Sequence, residues 1–144
     1  MIHGDISNRQ APIIAFNVDN LLFKDDVKPA NIIVRLLDKF MPKTGYFDRV
    51  IDSDFVDLLL NLWYKHPFSI YLVSFRPDIE DELNELLVNQ CICYTKLVCV
   101  ESIDVVIHSC RYHYSYYFDS DDSLISMIGT ANALNIKELN LVIR

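Results

Sequence analysis

"PIIAFNVDNLLF", residues 12–23, is the stretch on which the fold turns. Its first part, "PIIAFNV" (12–18), is apolar up to Asn17, and Asp19 and Asn20 follow at once. The run is too short for a helix and shows no polar alternation, which predicts a strand buried on both faces. Strands of that kind belong to parallel sheets, whose carboxyl ends deliver polar side chains to a ligand crevice. If the pattern recurs along the chain, the domain is α/β.

It does recur. "FSIYLVSF" (68–75), "TKLVCV" (95–100), "YSYYFD" (114–119) and "ELNLVIR" (138–144) predict four further strands. Helical spacing fills the gaps. "KPANIIVRLLDKFM" (28–41) repeats apolar residues at Ile32, Ile33, Leu36, Leu37 and Phe40. A turn at "PKTGYFD" (42–48) leads to "IDSDFVDLLLNLWYKH" (51–66). Asp52 or Ser53 is its N-cap, and Phe55, Leu58, Leu59, Leu62 and Trp63 form its inward face. Pro77 and Asp78 open a helix over 78–89, whose early acids suit its N-terminal dipole. Two more helices are expected over 101–113 and 121–134. Five strands alternating with helices predict a single three-layer α/β domain, residues 1–144, with a mostly parallel sheet. The connection between the first two strands exceeds an ordinary crossover, so residues 24–50 read as a small cap or insert.

Composition narrows the function classes. The 144 residues are 51% hydrophobic and 23% charged, which is globular rather than disordered. A net charge of -7 argues against nucleic acid and against anionic membrane as partners. No apolar run approaches a membrane-spanning length, and "MIHGDISNRQ" has no leader pattern, so a cytoplasmic location is expected. The cysteines at 91, 93, 99 and 110 lack a zinc knuckle and are expected to be reduced and mostly buried. His108 and His113 flank Cys110, but residues two apart do not share a helix face. The tyrosines around 112–117 lack interleaved cations, and strand alternation accounts for them.

The chemistry-bearing residues fall at strand ends. Asn17, Asp19 and Asn20 follow the first strand, and Ser74 with Arg76 follows the second. Glu101 and Ser102 follow the third, while Asp119, Ser120, Asp121 and Asp122 close the fourth. With the first, second and fourth strands adjacent, Asp19, Asp119 and Asp122 would converge, and gathered carboxylates call for a cation such as Mg2+. Singly, each of these residues is also an ordinary turn former or N-cap.

In this order the motifs resemble those of the haloacid dehalogenase (HAD) superfamily of phosphohydrolases. "FNVDNLLF" is similar to that family's D-x-D-x-[TV] first motif, "IYLVS" to its strand ending in Ser or Thr, and "YYFDSDD" to its paired acids. The resemblance covers essentially the whole chain and implies a HAD-like, Rossmannoid fold. By that resemblance Asn17 stands at the nucleophile and Asp19 at the general acid/base. Ser74 would bind phosphate, with Arg76 beside it. Asp19, Asp119 and Asp122 (or Asp121) would face Mg2+.

Two departures matter. A carboxamide is a far poorer nucleophile than a carboxylate, so Asn17 removes the attacking group and weakens the metal site. Glu101 stands where a cation is expected to balance the phosphate, and the nearest basic residues are Lys96, Arg111 and Arg76. The expectation is therefore a catalytically impaired HAD-like protein. It would act as a binding or regulatory module with a protein partner, or with a small phosphorylated ligand, through the strand-end crevice and the 24–50 cap segment. The alternative is a Mg2+-dependent phosphatase or nucleotidase, active if Asn17 replaces a natural Asp or if Asp19 and metal-bound water suffice.

Overall fold

The computed structural model describes residues 12–24, 42–100, 114–122, 125–126 and 133–139. Five strands form one all-parallel sheet: β1 (Ile13–Asn17), β2 (Ser69–Ser74), β3 (Lys96–Cys99), β4 (Tyr116–Asp119) and β5 (Ala133–Asn135). Their order is β3-β2-β1-β4-β5, so the chain steps outward from β1 in one direction and then returns to its other side. The switch lies between β1 and β4. In such sheets the crevice at the switch point is where ligands bind.

Burial follows the strand alternation. Ile14, Phe16, Ile70, Leu72 and Phe118 enter one core, and Ala15, Val73, Tyr117 and Ala133 enter the other. The first core is roofed by α3 (Ser53–Lys65) and α4 (Glu80–Asn89), through Phe55, Leu59 and Leu62 and through Leu83 and Leu87. Ahead of these lie two short helices, α1 (Val18–Leu21) and α2 (Lys43–Phe47). Asp52 caps α3 by accepting from the backbone N–H groups of Asp54 and Phe55, which resolves the Asp52 or Ser53 choice. A 3-10 turn, Pro77–Ile79, leads into α4.

Several expectations shift. The stretch 42–48 is not a plain turn, because Lys43–Phe47 closes one helical turn and buries Tyr46. Trp63 lies at the margin of the buried arc of α3 and remains 38% exposed, while Leu58 is half-buried. β5 is Ala133–Asn135, ahead of the strand expected over 138–144, whose first two residues are helical: Asn135 pairs with Asp119, and this register overrides the helix-favouring Ala and Leu that suggested a helix to 134. A 3-10 turn at Ile136–Glu138 follows, and 140–144 lie outside the described residues. The helices expected over 28–41 and 101–113 lie outside them too, as do His108, Cys110, His113 and the part of the 24–50 segment between 25 and 41. Among the described residues no helix is long and apolar enough to cross a membrane.

The cysteine expectation needs correction as well. Cys91 is exposed, Cys93 and Cys99 are half-buried, and all three are unpaired thiols. Cys91 has φ 57, in the left-handed region. It ends α4, with its N–H on the Val88 carbonyl and the Ile92 N–H on that of Leu87. That is the Schellman arrangement, which glycine fills without a Cβ penalty. Cys91→Gly should therefore stabilise the fold by about 0.5–1 kcal/mol, the left-handed strain relieved less the added freedom of the unfolded chain. A higher urea midpoint at unchanged m-value is the expected result.

Candidate functional site

The register Phe16↔Phe118 aligns Asn17 with Asp119 across the switch point, and alternation turns both side chains to the same face. They meet there. Asn17 Nδ2 donates to Asp119 Oδ2 at 2.8 Å, and Asn17 Oδ1 accepts the Asp19 N–H at 3.0 Å as the N-cap of α1. These two contacts set the amide's orientation, because the backbone N–H needs the oxygen and the carboxylate needs the nitrogen. Asn17 is thus held on both sides and is 1% exposed.

Asp119 is fully buried and collects five donors. Besides Asn17 they are Asn20 Nδ2 at 2.8 Å, the Tyr117 hydroxyl at 3.0 Å, and the backbone N–H groups of Ser120 and Asp121 at 2.7 and 3.0 Å. Burial pushes its carboxyl above the usual carboxylate range, while the donors, Asn20 and Asn17 foremost, hold it down. Burial, reinforced by the Asp119 charge, drives the Tyr117 hydroxyl well above its ordinary value. Tyr117 lies two residues before Asp119 on one strand, so its place in the cluster was legible from alternation alone.

A second node forms around Asp19. Its carboxylate accepts from Ser74 Oγ at 2.7 Å, the Phe75 N–H at 2.8 Å and the Tyr46 hydroxyl at 2.6 Å. Ser74 Oγ in turn accepts from the Arg76 N–H. Burial, then the Asp19 charge, raises the Tyr46 hydroxyl well above its ordinary value. The Arg49 guanidinium lies 4.1 Å from the Phe23 ring centroid and 4.4 Å from that of Tyr46. It donates to the backbone carbonyls of Asp19 and Tyr46. The segment around Tyr46 and Arg49 is thereby fastened beside the end of β1. Neither Tyr46 nor Arg49 stood out in the sequence, because nothing in "PKTGYFD" marks a contact 27 residues away.

No family model matches the chain. No curated protein and no solved structure matches it either. What the site does must be argued from its own residues.

Of the carboxylates expected to converge, Asp19 and Asp119 belong to separate nodes joined through Asn17. Asp122 is exposed and accepts from Asn135 Nδ2 at 3.1 Å. Among the described residues no group of three or more His, Cys, Asp and Glu is placed to hold a metal ion. The donor set presented here does not fit Mg2+, because the Asp119 oxygens face amides, a hydroxyl and backbone N–H groups. Arg76 is buried, and its Nε and Nη2 clamp Asp78 at 2.9 Å each. The clamp holds the Asp78 carboxyl low and raises the Arg76 guanidinium further. Its Nη1 has no hydrogen-bond acceptor among the described residues. Ser74 is likewise engaged, by Asp19 and by the Arg76 N–H.

Proposed function

We propose that the chain is a catalytically silent, three-layer HAD-like domain that serves as a binding or regulatory module. The observation that carries this is the 2.8 Å contact from Asn17 Nδ2 to Asp119 Oδ2. In a phosphohydrolase of this pattern the first position presents an anionic oxygen to phosphorus. Here the amide oxygen is engaged by the Asp19 N–H, and its nitrogen, with no available lone pair, faces a carboxylate. In this reading the Asn17 amide neutralises the Asp119 oxygen that a cation would otherwise take. Asp19, where proton transfer would be expected, is held by three donors and has no phosphoenzyme to serve.

The test is hydrolysis of an aryl phosphomonoester with Mg2+ by the natural chain, by Asn17→Asp and by Asp19→Ala. The expected result is no turnover above the uncatalysed rate in the natural chain. The competing hypothesis is a Mg2+-dependent phosphohydrolase working through Asp19 and metal-bound water. It predicts turnover in the natural chain that disappears in Asp19→Ala, and that outcome overturns the proposal.

A further inference from the structure

Arg76, between β2 and α4, keeps its side chain only 9% exposed. A guanidinium holds its N–H donors in one fixed plane. The edge formed by Nε and Nη2 is closed by Asp78, at 2.9 Å on each nitrogen. Nη1 lies away from that edge, is buried, and meets no acceptor among the described residues. A buried charged donor without a partner is costly and calls for an oxygen. The end of the guanidinium, Nη1 with the outer hydrogen of Nη2, matches the paired oxygens of a carboxylate or of a phosphate.

The surrounding charges decide between the two. The Tyr46 ring lies 5.8 Å from Arg76 Cζ, so α2 stands beside the guanidinium. Lys43, three residues before Tyr46, reaches Glu82 of α4 at 3.0 Å, and the two side chains are 52% and 43% exposed. The Asp78 carboxyl, held low first by Arg76, also feels the charge of Lys43. A ligand oxygen on Nη1 can therefore draw Lys43 from Glu82, which returns to water. Two cations, Arg76 and Lys43, then face two carboxylates, Asp78 and the ligand's. A phosphate monoester would bring a second negative charge. It would meet Asp19, whose charge already acts on Arg76, and Glu80 and Asp81 in the first turn of α4.

We propose that Arg76 Nη1 and Lys43 form a binding site for a singly charged carboxylate, seated between α2 and the start of α4. This names the ligand class of the binding module proposed above and rests on that reading. The site takes a carboxylate in preference to a phosphorylated ligand.

Acetate and methyl phosphate are the probes, titrated at about pH 7.5, where a phosphomonoester is almost wholly a dianion. Chloride holds the ionic strength constant. The urea midpoint should rise with acetate along a saturating curve, half-complete at about 1–10 mM. The Arg76 Nε resonance should shift along the same curve. Methyl phosphate should need at least about tenfold more. Arg76→Lys keeps the charge but removes Nη1, and should weaken acetate binding at least about tenfold. Glu82→Gln, at a half-exposed position, should tighten it about threefold or more, because Lys43 loses a competing charge. A midpoint and an Nε signal indifferent to acetate overturn the proposal, as does equal acetate binding by Arg76→Lys. If Arg76→Lys does not fold, the Glu82→Gln titration decides, and binding no tighter than in the natural chain overturns it. Methyl phosphate binding as tightly as acetate overturns the choice of a singly charged ligand. Turnover in the phosphomonoester assay would overturn the silent-site reading alone, and an absent acetate response would overturn this inference alone.

Discussion

Replacing Asn17 by Asp should cost little at pH 4, about 1–2 kcal/mol at pH 5, and about 2–4 kcal/mol more at pH 8 without divalent cation. The substitution sets a second carboxylate against Asp119 Oδ2, where the Asn17 amide nitrogen now sits at 2.8 Å. Burial already raises the Asp119 carboxyl. Two buried carboxylates at that separation cannot both ionise, so the folded pair keeps a proton that the unfolded chain releases above about pH 4. The folded state then binds more protons than the unfolded one, and stability falls as pH rises. It is fully present below the unfolded pKa and lost as pH climbs through the folded value. Each pH unit in that window costs about 1.4 kcal/mol, which bounds the loss between pH 5 and pH 8 at about 4 kcal/mol.

Mg2+ should reverse the loss at pH 8 and do little at pH 5, where a proton already separates the two oxygens. A cation at 100 times its dissociation constant returns about 2.7 kcal/mol. The natural chain should not respond in the same way, because its amide donor already meets the Asp119 oxygen. Urea midpoints of both chains at the two pH values, with and without millimolar Mg2+, make the comparison. Equal midpoints for the two chains at pH 8 without the cation would show that the Asn17–Asp119 contact does not govern this site.

What the sequence disclosed about this site follows distance along the chain. β1, β2 and β4 were legible because an apolar run bounded by polar residues is a local signal, and Asn17, Ser74 and Asp119 fall at the ends of those runs. Their adjacency entered only as a condition, since no local pattern encodes sheet order, and the order β3-β2-β1-β4-β5 meets it. Once β1 and β4 pair in parallel, alternation alone brings Asn17 to Asp119. The losses have equally definite causes. Asp122 belonged on paper to a cluster of acids, yet Asn135 at the end of β5 takes its carboxylate. That contact was hidden while the fifth strand was placed several residues too late. Tyr46 donates to Asp19 from a short helix whose apolar pair resembles an ordinary turn. Trp63 has the right helical phase for burial, but its position at the edge of the arc leaves it partly exposed.

Asp119→Asn should cost about 2–4 kcal/mol, and adding Asn17→Asp to it should recover a large part of that loss. The reason lies in which way each amide must point. Asn17 Oδ1 is committed to the Asp19 N–H, so Asn17 Nδ2 has to face position 119. An Asn at 119 spends its own oxygen on the donors that Asp119 Oδ1 serves, namely Asn20 Nδ2 and the N–H groups of Ser120 and Asp121. Its Nδ2 is then turned onto Asn17 Nδ2, two donors without an acceptor in a site closed to water. The loss is that of buried donors left unpaired, about 1–3 kcal/mol each. Exchanging the two residues restores the bond with its direction reversed. A carboxylate at 17 keeps one oxygen for the Asp19 N–H, as an N-cap acid does, and offers the other to the amide at 119. The Tyr117 hydroxyl, now a donor to Asp119 Oδ2, can rotate and accept from that amide. Asn17→Asp is thus destabilising alone and restoring beside Asp119→Asn, so the coupling in the double-mutant cycle should reach about 3 kcal/mol or more, read from urea midpoints near pH 7. If the two losses simply add, Asn17 and Asp119 are neighbours without being partners. The neutralisation of Asp119 by the Asn17 amide, on which the silent-site proposal rests, then has to be abandoned.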